Sequence, residues 1–136
     1  MTDLWPEELK TIEVRPPVLI LQEQGTILGK RTKNLVLGKV RQVPAGPEFH
    51  FVFMIDAPPL RYSFNLLELK YGINFYPLRV TPASEVRQEA FPGSSTPYLT
   101  ANTEDEFLEM LSKIFRASVT QRLISALIAQ MEYKTA

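Results

Sequence analysis

The sequence predicts an α+β fold: a single antiparallel sheet of about four to five strands in meander order, preceded by one helix and followed by a C-terminal helix pair. Two alternating apolar runs between Phe49 and Leu66 predict paired strands. Helical spacing after Pro16-Pro17 predicts the leading helix, and two apolar stretches after polar caps predict the trailing pair.

In the leading helix, placed at residues 16–32, Val18, Leu21, Gly25 and Leu28 keep helical spacing, and Leu19, Ile20 and Ile27 widen the stripe. The paired prolines suit a first turn, which needs no backbone donors. Residues 1–15 form an N-terminal arm ahead of the domain proper, 16–136, and hold Trp5 in Leu4-Trp5-Pro6-Glu7-Glu8-Leu9.

The strand register follows from the pleat, because opposed residues share a face and the face alternates every second residue. A turn at Asp56-Ala57-Pro58-Pro59 sets Ile55 opposite Leu60, Phe53 opposite Tyr62, Phe51 opposite Phe64 and Phe49 opposite Leu66. A turn at Pro44-Ala45-Gly46-Pro47 adds a strand from Asn34 to Val43, with Val43 opposite Glu48 and Gly38 opposite Phe53. The core face then gathers Val36, Val40 and Gln42 beside the aromatic rings. A glycine under a ring leaves room for it.

A fourth strand is expected from Phe75 to Val80, at an edge because Pro77 has no donor for the ladder. Residues 81–102, rich in Pro, Gly and Ser, read as a loop, with Tyr98-Leu99-Thr100 as a possible fifth strand. Thr103-Glu104-Asp105-Glu106 has the capping-box form before Phe107, Leu108, Leu111, Ile114 and Phe115. Ser118-Val119-Thr120-Gln121 repeats the start signal ahead of Leu123, Ile124, Leu127, Ile128 and Met131.

The chain has 136 residues, 45% of them hydrophobic, which suits one compact core. No apolar run is long enough to span a bilayer, and the N-terminus lacks the zones of a signal peptide. A cytoplasmic location is expected, and the zero cysteine count excludes disulfides and thiolate chemistry.

No catalytic, cofactor-binding or metal-ligating set is legible. The single histidine, His50, has no second His, Cys or acid at motif spacing, and reads as a structural side chain. Gly25-Thr26-Ile27-Leu28-Gly29-Lys30-Arg31-Thr32 imitates a phosphate loop, but it is one residue short between its glycines and lies in a helix instead of between strand and helix.

Charge is more informative. The net charge is zero, yet no acid occurs between Glu23 and Glu48, where Lys30, Arg31, Lys33, Lys39 and Arg41 all fall. Separated signs create local fields that attract anionic partners. The candidate recognition face is the outer side of the sheet, with Leu37, Lys39, Arg41, His50, Val52, Met54, Arg61 and Arg79. Lys30, Arg31 and Lys33 form a candidate basic patch at the end of the first helix, where the dipole also favours cations.

Leu21-Gln22-Glu23-Gln24, Leu28 through Val36, Ile73-Asn74-Phe75-Tyr76-Pro77, Glu104 through Leu108 and Ala126 through Gln130 together resemble a family of small uncharacterised bacterial single-domain proteins. The resemblance spans most of the chain from residue 16 and implies a bacterial single-domain protein. It brings no activity or site residue.

The expected function is a non-enzymatic protein-interaction or oligomerisation module, with a protein partner or a second copy in a homodimer, because an apolar strip within a polar surround marks a partner site. One alternative is binding of nucleic acid or another polyanion through the basic helix end and outer sheet face, although the aromatic residues lie on the buried side, away from bases. The other is a small-ligand site or enzyme pocket between the aromatic sheet face and the helices, with Gln42, Tyr62 and Tyr76 as polar handles. No cofactor and no membrane contact are expected.

Overall fold

The structure is a computed structural model that describes residues 1–9 and 14–135, with side chains to residue 132. Residues 10–13 of the expected arm lie outside the described residues. The elements run α1 (Pro17–Arg31), β1 (Leu37–Val43), β2 (Phe49–Ala57), a 3-10 turn (Pro58–Leu60), β3 (Tyr62–Tyr71), β4 (Leu78–Pro82), α2 (Ser84–Ala90), β5 (Leu99–Ala101), α3 (Glu104–Arg116) and α4 (Ser118–Thr135). The five strands form one antiparallel sheet in the order β1-β2-β3-β4-β5, the meander the sequence predicts.

One face of the sheet carries the core. Phe53, Ile55, Leu67, Leu69, Leu78 and Val80 join Ile20 and Leu21 of α1, Val86 of α2, Phe107, Leu111 and Ile114 of α3, and Leu127 and Met131 of α4 in a single apolar cluster. Val52 is only 1% exposed but belongs to the opposite face and stays outside that cluster. Arg41 and Glu68 flank it in register, and long charged side chains cover apolar surface with their stems while their heads reach water.

The faces follow the expected alternation, but the pairings do not. β2 continues through the expected turn to Ala57, and the two prolines, which lack donors, open the 3-10 turn instead. Arg61 closes that turn in the left-handed region at φ 52°, so Ile55 meets Phe64 and Ala57 meets Tyr62. A bulge then falls between Phe53 and Met54: Met54 pairs with Asn65 and Phe53 with Leu67, leaving Leu66 as the extra residue. The bulge restores phase, since β3 is apolar at even positions through Phe64 and at odd positions from Leu67. At the other edge Val43 lies opposite His50 instead of Glu48, a slip of two residues that preserves the faces.

β4 starts at Leu78, because Phe75 takes a positive φ of 73°, away from extended backbone, and Pro77 has no N–H for the ladder. It is an interior strand, since β5 pairs along its free side. Within the expected loop 81–102 the structure forms both β5 and α2. α2 also shapes the last helix: the Glu89 carboxylate accepts hydrogen bonds from the Ser118 backbone N–H and hydroxyl, each at 2.5 Å, and from the Val119 N–H at 3.3 Å. α4 is therefore capped from another helix. α3 is capped locally, with the Thr103 hydroxyl oxygen accepting from the Glu106 N–H at 3.2 Å.

Candidate functional site: a groove between helices and sheet

α1 lies unusually close to β1 because glycines meet there. A Cβ on Gly38 would stand 2.6 Å from the Cα of Gly25 and 2.6 Å from the Phe53 ring. The ring over Gly38 is the arrangement expected from sequence, although in register Gly38 opposes Ile55. With α1 seated at Gly25, its next turns stand over the sheet beside the α3–α4 corner. A groove of about 330 Å³ remains between them.

Phe53 and Ile55 form its floor, Ile27 and Leu28 one wall, and Phe115 and Ile124 the other. Gln24, Arg31, Thr32, Thr120 and Gln121 supply the polar lining. Most of these polar groups are already engaged: Thr120 donates to the Ile114 carbonyl at 2.7 Å, Gln121 to the Phe115 carbonyl at 2.6 Å, and Thr32 to the Val36 carbonyl at 2.8 Å. Gln24 and Arg31, seven positions apart on one side of α1, are the handles left for a ligand. Among the described residues no acid lines the groove. An apolar slot with one cation and one carboxamide at its lip suits an apolar group joined to an anion.

The candidate recognition face is placed as follows. Leu37, Lys39, Arg41, His50, Val52, Met54 and Arg79 share the outer side of the sheet, while Arg61 stands apart in the 3-10 turn. Acids interrupt the basic run: Lys39 pairs with Asp56 at 3.0 Å, and His50 Nε2 lies 3.2 Å from Glu68. Arg79 sits over the Tyr98 ring, 5.2 Å from its centre. Lys30, Arg31 and Lys33 are exposed around the end of α1, and Arg31 alone of them lines the groove.

The expected polar handles do not gather at the groove. Gln42 lies on the edge strand opposite Phe51, and Tyr62 pairs with Ala57 beyond the groove floor. Tyr76 lines a second hollow of about 580 Å³ beside Lys70, Asn74 and Arg79. Its hydroxyl is buried with no hydrogen-bond partner, and burial, aided by the Glu104 charge, pushes its pKa up to about 12. The groove residues were partly visible in sequence, because Ile27 widens the α1 stripe beyond what one strand can cover. Gln24 gives no signal as a site residue, and Gln121 reads only as part of the start signal of the last helix.

Among the described residues no group of three or more His, Cys, Asp and Glu is placed to hold a metal ion, and no helix is long and apolar enough to cross a membrane. No family model, curated protein or solved structure matches the chain.

Proposed function

We propose that the chain is a non-enzymatic interaction module whose docking site is the groove between α1, the end of α3 and the start of α4. It receives an apolar side chain next to an anionic group. The observation that carries this reading is an apolar slot whose unengaged polar handles, Gln24 and Arg31, stand together at its lip, with no acid among the described lining residues. Ile27, 45% exposed, gives the slot an accessible apolar wall. The outer sheet face supports a polyanion reading less well, since Lys39 and His50 stand against Asp56 and Glu68. The site implied here lies on the opposite side of the sheet, in a protein taken to be bacterial and cytoplasmic.

Titration of the dilute chain with anilinonaphthalene sulfonate, an aromatic anion, tests the site. Saturable binding at one equivalent is expected, abolished by Ile27→Asp and weakened by Arg31→Glu. The paired Arg41→Glu and Arg79→Glu substitutions on the outer sheet face should leave it unchanged. Absence of saturable binding, or binding indifferent to Ile27, refutes the groove as a docking site.

A further inference from the structure

The N-terminal segment presents what the groove lacks. Leu4, Trp5 and Leu9 are 89%, 75% and 72% exposed, so the chain's one tryptophan meets solvent on an arm whose described residues bury none of their large apolar side chains. Exposed apolar groups of that size on a soluble surface mark something to be covered. Between Met1 and Leu9 the arm carries the acids Asp3, Glu7 and Glu8 and no Lys or Arg, whereas among the described residues the groove holds Arg31 and no acid, with Lys30 and Lys33 at the same helix end. The two surfaces are complementary in both polarity and sign.

We propose that the groove is filled by the segment Leu4-Trp5-Pro6-Glu7-Glu8-Leu9 of a second copy of this chain. This rests on the groove being a docking site and names its occupant. Pro6 disfavours helical backbone at Trp5 and holds it extended. In an extended chain residues two apart share a side, so Trp5 and Glu7 project together about 7 Å apart. Trp5 enters the slot over Phe53 and Ile55, and Glu7 reaches Arg31 at the lip. An indole brings the largest apolar surface of any side chain to such a slot, and tryptophan and arginine are the residue types enriched where binding energy concentrates.

The partner is a second copy because the described arm does not cover its own groove: Leu4, Trp5 and Leu9 are exposed, and none of residues 1–9 lines the groove. Arg15 pairs with Glu23 at 2.6 Å and with Glu104, at the start of α3, at 3.3 Å. The groove opens along Gln24 to Thr32 and beside Phe115 at the end of α3. Reciprocal exchange of two arms into two grooves closes a twofold dimer and leaves no free docking site.

The full-length chain tests this by sedimentation equilibrium together with the emission of Trp5, the chain's single tryptophan. Dimer formation with concentration is expected, with a parallel blue shift of Trp5 as the indole leaves water. Trp5→Ala should weaken association by roughly 30-fold or more, the loss of a hot-spot tryptophan. Ile27→Asp should do the same from the groove side. Mixing Trp5→Ala, which keeps its groove, with Ile27→Asp, which keeps its arm, should restore a heterodimer that neither forms alone. In dilute solution Trp5→Ala should bind anilinonaphthalene sulfonate as the wild type does, and at high concentration it should bind more, because no arm competes.

Wild-type association undiminished by Trp5→Ala, a persistent monomer, or a Trp5 emission that is blue-shifted independently of concentration overturns the exchange. The last result would mean that each arm folds onto its own chain. If the probe still binds in the groove in those cases, the docking site stands and only its occupant is wrong. If the probe fails even with dilute Trp5→Ala, the groove reading itself falls.

Discussion

Gly25 of α1 and Gly38 of β1 touch backbone to backbone: a Cβ on Gly25 would collide with the Gly38 carbonyl, and a Cβ on Gly38 would lie 2.6 Å from the Gly25 Cα. The contact fixes the height of the helix above the sheet, and therefore the depth of the groove that its next two turns wall.

Gly25→Ala and Gly38→Ala should each destabilise the fold by about 1–3 kcal/mol, the cost of overpacking, even though alanine favours the helix at Gly25. Both substitutions crowd one gap, so the double variant should cost less than the sum. Gly93→Ala, with nothing within 4 Å of its added Cβ, serves as the control. Urea unfolding at equilibrium measures all four.

Glu89 holds the start of α4 from across the structure. Hydrogen bonds from the Ser118 hydroxyl and N–H hold its carboxyl below the ordinary 4.5. Protonation is thus resisted in the folded state, so the stabilisation is present above pH 4.5 and is lost as pH falls through the lowered value. Glu89→Ala should melt lower than the wild type at neutral pH, and the difference should shrink on acidification. Ser118→Ala should reproduce part of both effects in thermal melts.

Tyr76 predicts the opposite limb of the pH profile. Its hydroxyl ionises at about 12 when folded against an ordinary 10, so the folded state keeps a proton that the unfolded chain gives up. Stability should fall as pH rises from 10 to 12, and Tyr76→Phe should remove that fall. Near neutrality the same variant should stabilise by about 1 kcal/mol, because a buried hydroxyl without a partner is replaced by hydrogen. Guanidinium unfolding at neutral and alkaline pH separates the two effects.

Ile27→Asp should change stability by less than about 1 kcal/mol, since Ile27 is 45% exposed and lies outside the central cluster. Its loss of probe binding is then a property of the groove. A cooperative unfolding curve close to that of the wild type checks it.

The legible parts of the fold were those written in local patterns. The spacing from Val18 to Leu28, the Thr103 cap and the alternation around Phe53 depend on neighbours in sequence, and α1, α3 and the two faces of β2 follow them closely. Pairing across strands was less legible. The β2–β3 register turns on whether Asp56 and Ala57 extend the strand or form the turn, and both satisfy the same alternation. The expected register, with Phe49 opposite Leu66, contains no bulge, and the structure places one at Leu66.

The sequence by itself determined α1, α3, α4, the meander order of the strands and which strand face turns inward, because those depend on periodicity and capping over short spans, whereas α2 forms inside the expected loop. Tertiary structure alone decided the close seat of α1 on Gly38, the capping of α4 by Glu89 and the groove above Phe53 and Ile55. Each of these joins residues far apart in the chain, and the distance between two packed elements depends on which side chains are missing from both surfaces at once.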